Sequence, residues 1–153
     1  MRMRPGLSLV ELLVVVLIIA SIAGVVIPSY QRIVVKARAA EALSQIHAVR
    51  LAAYAYNTDT NGWPPDYAPG ERPVELEPYL GPGYPFGGDG YLLDWENWVL
   101  ADGTPKHPET GVLLGISMTT TNAALGQALV DLLGESTAHY TLGYNYTFVL
   151  AAI

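Results

Sequence analysis

The chain has 153 residues, a formal charge of −6 at pH 7 and no cysteine. The absence of cysteine excludes disulfides, thiolate zinc sites and a thiol nucleophile, and the length allows one modest domain plus an appendage. The charge is uneven, because residues 29–57 hold four basic side chains and one acid, whereas residues 58–153 hold two basic side chains and twelve acids. An acidic body argues against nucleic-acid binding, which needs Lys and Arg to replace the counterions of phosphate.

The first element is an apolar run at residues 7–27, interrupted by four non-apolar residues: Ser8, Glu11, Ser21 and Gly24. At about 1.5 Å per residue, a helix of this length spans roughly 31 Å, which matches the hydrocarbon core of a bilayer. The run is therefore compatible with a transmembrane helix, a removable secretory signal or a helix buried in a protein assembly.

The secretory-signal interpretation rests on two features. Arg2 and Arg4 form a basic beginning, and residues 21–23 (Ser-Ile-Ala) form an acceptable small-x-small cleavage site ending at Ala23. Two features count against it, because Glu11 places a charge at the front of the apolar stretch and the apolar pattern continues beyond Ala23.

Helical spacing resumes directly after Pro28. Apolar residues then recur at steps of three and four, and the polar residues occupy the other sides, as in an amphipathic helix. We therefore predict one long helix from Leu7 to about Tyr56, kinked near Pro28, whose apolar stripe lies against the rest of the chain. The stripe consists of Ala39, Ala42, Leu43, Ile46, Val49, Ala53 and Tyr56, and the polar sides consist of Arg32, Lys36, Arg38, Glu41, Gln45 and Arg50.

The remainder predicts short elements separated by Gly- and Pro-rich turns. Residues 57–73 are predicted as loop, 74–80 as a helical turn, 91–94 and 98–101 as a hairpin, and 111–118 as a buried strand. A short helix capped by Thr121 or Asn122 follows, with one or two closing strands joined near Gly143. The predicted buried face of this short helix consists of Leu125, Leu129, Leu132 and Leu133. The predicted fold class is α+β, with a small C-terminal antiparallel sheet packed against the second half of the long helix.

The beginning of the chain resembles a known family. Residues 6–42, GLSLVELLVVVLIIASIAGVVIPSYQRIVVKARAAEA, closely resemble the N-terminus of type IV pilins and type II secretion pseudopilins. The shared motif is a short basic leader ending in glycine, then an apolar residue, Ser or Thr, two apolar residues, a glutamate and a long apolar run. In this chain its members are Arg2, Arg4, Gly6, Leu7, Ser8, Leu9, Val10 and Glu11, with Pro28 and Tyr30 at the positions of the family's proline and tyrosine.

The resemblance implies a processing route and a structural role. A prepilin peptidase would cut between Gly6 and Leu7 and N-methylate Leu7. The chain would then comprise a leader (1–6), a membrane and filament-core helix (7–28), an amphipathic second half (29–57) and an α+β head (58–153). It would be a subunit of a pilus or pseudopilus rather than an enzyme.

The resemblance also implies location and partners. Before assembly the subunit would cross the bacterial inner membrane once, in contact with lipid, with its head outside the cytoplasm. Its partners would be the prepilin peptidase, the inner-membrane assembly platform, and copies of itself or other pilins. After assembly it would lie in a periplasmic or cell-surface filament.

Glu11 poses a physical problem, because a carboxylate in an apolar run is costly unless it has a partner. Cutting after Gly6 creates an α-amino group with a reference pKa near 8, which can pair with Glu11 of a neighbouring subunit. Removing one partner of a buried ion pair typically costs about 3–5 kcal/mol, so this pairing would set the register of assembly. The alternative is an acid that reaches back to the membrane interface.

The predicted head contains one candidate metal site and no catalytic motif. Asp89, Asp94, Glu96 and Asp102 lie within fourteen residues, and calcium takes several oxygen ligands from such acidic loops. Major pseudopilins bind calcium through an acidic loop that this segment resembles, although the spacing does not fit an EF-hand. The alternative is a set of solvated acids, and no other cofactor is expected.

Two other classes of function remain open from the sequence. One is a soluble secreted binding protein, released by ordinary signal peptidase after Ala23. The other is an enzyme anchored by an uncleaved helix, for which no phosphate loop, nucleophile elbow or metal-binding His motif is found.

Overall fold

A computed structural model describes residues 8–99, 112–135 and 137–152. The helices are α1 (Leu9–Thr60), α2 (Glu77–Leu80), which continues a 3-10 turn at Val74–Leu76, and α3 (Ala123–Leu133). The strands are β1 (Gly87–Gly88), β2 (Tyr91–Asn97), β3 (Val112–Thr119), β4 (His139–Leu142) and β5 (Asn145–Ala152). They form an antiparallel sheet in the order β1-β2-β3-β5-β4, so the predicted α+β class is confirmed.

The chain divides into two units, Met1–Val34 and Val35–Ile153. In the first unit the described residues from Leu9 onward belong to α1, and the helix continues through Pro28. Among the described residues, α1 is the one helix that is long and apolar enough to cross a membrane. It ends four residues beyond the predicted end at Tyr56, and the predicted kink near Pro28 stays a prediction.

The core of the second unit lies between α1 and one face of the sheet. Trp95, Ile116 and Phe148 stand opposite one another on β2, β3 and β5, and all three are buried. From α1, His47 lies against the Phe148 ring, and the Arg50 guanidinium stands 5.5 Å from its centroid. The predicted apolar stripe is confirmed: Ala39, Ala42, Ile46, Val49 and Ala53 are fully buried, and Leu43 and Tyr56 are partly buried against them.

Gln45 was predicted on a polar side of α1, and this is wrong. Its side chain is buried, and Nε2 donates to the carbonyl oxygen of Gly87 at 3.3 Å. The amide is tolerated on the core side because the backbone of β1 offers it an acceptor, as buried polar groups require.

The predicted hairpin at residues 91–94 and 98–101 is also wrong in its pairing. The first strand continues to Asn97, and its described neighbours are β1 on one side and β3 on the other. The tight turn precedes β2 instead, at Asp89 and Gly90, where Gly90 has φ +87°. A turn with positive φ at its second central residue favours glycine there, because glycine adopts that conformation without steric cost. Leu100 and Ala101 lie outside the described residues.

The predictions for the end of the chain are largely confirmed. Asn122 caps α3, and its Oδ1 accepts from the N–H groups of Ala124 and Leu125. Leu125, Leu129 and Leu133 are buried, whereas Leu132, predicted on the same face, is 47% exposed. The helical turn predicted at 74–80 and the two closing strands joined at Gly143 are both present.

Candidate functional site

The first part of α1 presents a continuous apolar surface. Between Leu9 and Ile27 the exposed fraction of the large apolar side chains runs from 46% at Val14 to 81% at Leu9. Two hydroxyl groups in this region bond to the helix itself: Ser21 Oγ donates to the Ile18 carbonyl at 2.8 Å, and Ser29 Oγ donates to the Val25 carbonyl at 3.1 Å. Because these polar groups are satisfied internally, the surface suits an environment without water.

Pro28 interrupts the hydrogen bonding of this surface at one point. Proline has no N–H, so the carbonyl of Gly24, four residues earlier, lacks its usual helical partner. A methyl group placed on Gly24 would meet no atom within 4 Å, so this side of the helix is open.

Glu11 lies in the first turn of α1 and takes part in a reciprocal cap. Its carboxylate accepts from the backbone N–H of Ser8 at 2.9 Å, and Ser8 Oγ accepts from the N–H of Val10 at 3.3 Å. This arrangement is a variant of the Ser-x-x-Glu capping box, in which Ser8 bonds to the N–H two residues on rather than three, and it satisfies N–H groups that a helix leaves free at its beginning. Glu11 was predicted from the sequence as an assembly residue, and its role in the cap was missed. The Ser-x-x-Glu spacing of Ser8 and Glu11 could have indicated that role.

The cap changes the electrostatic problem that Glu11 poses. Negative charge is favoured at a helix N-terminus, where the partial charge of the backbone is positive. The carboxylate of Glu11 therefore already has a donor within its own chain. Pairing with the amine of another subunit stays a prediction, and Gly6 and Leu7, the predicted cleavage site, lie outside the described residues.

Of the four acids predicted to bind calcium, the structure describes Asp89, Asp94 and Glu96. Asp89 lies in the turn between β1 and β2 and forms an ion pair with Arg38. Asp94 and Glu96 lie two residues apart on β2, and Asp102 lies outside the described residues. Within the described ranges, no group of three or more His, Asp or Glu side chains is placed to hold a metal. The calcium site stays a prediction.

Asp94 occupies a buried polar row on the sheet face opposite to Trp95. It is 6% exposed, its Oδ1 has no hydrogen-bond partner in the described part of the chain, and it stands opposite Ser117 of β3. Ser117 Oγ donates to Glu96 Oε1 at 3.0 Å and lies 2.8 Å from Thr147 Oγ1 on β5. Sequence reasoning missed Ser117 and Thr147 because they become neighbours of Asp94 only through the sheet register.

The protonation of Asp94 follows from this environment. Burial raises its pKa to about 8, and the nearby charges of Glu96 and Asp66 together with a hydrogen bond to the Glu96 side chain add to the shift. At neutral pH the Asp94 carboxyl is therefore largely protonated, which avoids placing a second negative charge beside Glu96.

Comparison with known proteins gives one partial match. Fimbrial protein EcpC of Eikenella corrodens is 31% identical to the chain over 67 residues, which is 44% of this chain and 44% of that protein. The chain thus matches less than half of the length of this curated relative. No protein-family profile matches the chain, and no solved structure matches it. The partial match supports the resemblance to pilins that the first 42 residues carry.

Proposed function

We propose that this protein is a structural subunit of a filament of the type IV pilus or type II secretion pseudopilus class. The observation that carries the proposal is the exposed apolar surface of α1 between Leu9 and Ile27. A surface of this extent requires lipid or protein around it. Lipid would cover it before assembly, and the same surface of other subunits would cover it in the filament.

The processing route follows from the motif around Gly6 and Leu7. A prepilin peptidase would remove residues 1–6 and methylate the new amine at Leu7. The subunit would wait in the bacterial inner membrane with its head outside the cytoplasm, and an assembly platform would then move it into the filament. The likeness to a fimbrial protein supports this role over that of an enzyme.

Glu11 would have two successive partners in this proposal. In the waiting subunit its carboxylate accepts from the N–H of Ser8, as the capping box has it. In the filament it would pair with the Leu7 amine of a neighbouring copy, and loss of one partner of that buried pair would cost about 3–5 kcal/mol. Incorrect axial offsets would leave the acid unmatched and would therefore be disfavoured.

Three substitutions separate the cap from the charge. Glu11→Gln keeps an oxygen that can accept from Ser8 but removes the charge, Glu11→Val removes both, and Ser8→Ala removes the bond to Val10 while keeping Glu11. We expect all three variants to be inserted and cut, Ser8→Ala to form filaments, and both Glu11 variants to fail. Normal filaments from Glu11→Gln, counted by electron microscopy, would contradict pairing by charge.

Mass spectrometry of the mature N-terminus tests the proposal as a whole. We expect a chain that begins at Leu7 and carries one added methyl group. A chain that begins at Gly24 would instead identify a secreted protein released by ordinary signal peptidase after Ala23. Purified native filament protein that begins at Met1 would overturn the processing route.

A further inference from the structure

Four basic side chains follow the apolar part of α1, and the structure divides them into two pairs. Arg38 forms an ion pair with Asp89, and the guanidinium of Arg50 stands over an aromatic ring of the sheet. Arg32 and Lys36 are exposed, and neither forms an ion pair with any described residue. The two basic residues nearest to the apolar surface are therefore the two whose charges face the surroundings.

Arg32 and Lys36 are neighbours on one side of the helix. They lie four residues apart in α1, which is unbroken from Leu9 to Thr60. No acidic residue lies between Glu11 and Glu41 in the sequence, so no acid stands three or four residues from either of them, where it could pair along the helix. Two like charges at this spacing repel each other, and an anion bound between them would relieve that repulsion.

The apolar surface fixes the level of this pair relative to a membrane. A hydrocarbon core about 30 Å thick covers about 20 residues of helix, which extend from Leu9 to about Ser29. Tyr30, which is 66% exposed, falls at the boundary, where tyrosine is common in membrane proteins. Arg32 lies about 5 Å and Lys36 about 11 Å beyond the core, next to a headgroup layer about 5–8 Å thick. Helical side chains tilt toward the N-terminus, and long basic side chains extend to the interface, so both charges reach the headgroups.

We propose that Arg32 and Lys36 of the waiting subunit bind the anionic headgroups of lipids in the outward-facing leaflet of the membrane. The ligand is a phosphodiester with a net negative charge, as in phosphatidylglycerol. A lipid fits better than a free phosphate, because its acyl chains continue along the apolar surface that ends at Ile27. This contact rests on the proposed function, in which this end of the membrane helix faces away from the cytoplasm.

Fluorescence quenching by labelled lipids tests the contact in the full chain. The native chain has no cysteine, so Gln31→Cys, at an exposed position beside Arg32, can carry a single fluorophore. The labelled protein is reconstituted in phosphatidylcholine vesicles that contain a small fraction of spin-labelled phosphatidylglycerol or of phosphatidylcholine with the same spin label. One basic side chain near an anionic surface contributes about a fivefold preference. We therefore expect phosphatidylglycerol to quench several times more strongly than phosphatidylcholine.

Three variants of the labelled chain identify the groups responsible. Arg32→Gln combined with Lys36→Gln should bring the ratio of the two quenching constants close to one. The exchange of Arg32→Lys with Lys36→Arg keeps both charges and should keep the ratio. Arg50→Gln is the matched control for loss of a charge, because that guanidinium is held over an aromatic ring, and it should also keep the ratio.

The outcomes separate this contact from the function on which it rests. A fluorophore that neither lipid quenches would contradict the membrane-inserted state of the proposed function. Strong but equal quenching by the two lipids would overturn the lipid preference alone. An unchanged preference in the double glutamine variant would overturn the assignment to Arg32 and Lys36. If that variant also formed no filaments, the pair would instead contact an acidic surface of a neighbouring copy.

Discussion

The buried carboxyl group of Asp94 should make the stability of the second unit depend on pH. Its pKa is raised from the ordinary value of 3.8 to about 8 in the folded protein, so the folded state holds this proton where the unfolded state releases it. The free energy of unfolding is therefore undiminished below about pH 4 and falls as pH rises through 8. At about 1.4 kcal/mol per pKa unit, the full loss is on the order of 6 kcal/mol, and the part between pH 5 and pH 7 is about 2–3 kcal/mol.

Asp94→Asn should remove this dependence, because asparagine has nearly the same shape and does not ionise. The full chain in detergent micelles would be unfolded with urea at pH 5, 6, 7 and 8, with tryptophan emission as the signal since Trp95 is buried. We expect the native protein to lose stability over this range and the variant to lose about 2–3 kcal/mol less between pH 5 and 7. Asp89→Asn is the matched control, because that carboxylate is exposed. Equal slopes for the native chain and Asp94→Asn would refute the reasoning.

Two substitutions test the packing and capping of α3. Gly126→Ala should destabilise the second unit by about 1–3 kcal/mol, because the added methyl carbon would stand 1.9 Å from the Tyr146 ring. A melting temperature equal to that of the native chain would show that the ring moves aside without loss of stability. Asn122→Ala should lower stability by about 1 kcal/mol through loss of the bonds to two backbone N–H groups, whereas Asn122→Asp should retain most of it. Equal losses for these two variants, measured by urea unfolding, would contradict the capping role.

Much of the fold was predictable because local rules determine it. The three- and four-residue spacing identified the buried side of α1, and Asn122 identified the beginning of α3. The burial of Gln45 was not predictable, since its acceptor is the backbone of Gly87, forty-two residues away. The end of β2 was misjudged for a similar reason: Trp95 Nε1 and the Asn97 side chain both donate to the Pro64 carbonyl, and these contacts arise only in the folded chain.

The candidate sites show the same division. The position of Glu11 in the apolar run was visible in the sequence. Its capping partner Ser8 was visible too, because it lies only three residues away along the chain. The row formed by Asp94, Ser117 and Thr147 comes from three strands. A shift of one residue in the pairing of any of these strands would turn that strand's member of the row to the other face of the sheet. The composition therefore suggested an acidic cluster, whereas the register produced a protonated carboxyl beside two hydroxyl groups.

The charges of Glu11 and Asp94 are accommodated in two different ways. Asp94 retains its proton at neutral pH. Because its pKa is about 8, the carboxyl ionises in alkaline solution. Glu11 accepts a hydrogen bond from the backbone N–H of Ser8 at the beginning of α1, and its proposed filament partner is an α-amino group whose reference pKa also lies near 8. The head should therefore weaken between about pH 4 and pH 8, whereas the pairing of the amine with Glu11 should weaken only above about pH 8. Asp94→Asn separates them, because it stabilises the head in alkaline solution and leaves the pairing of the amine with Glu11 unchanged.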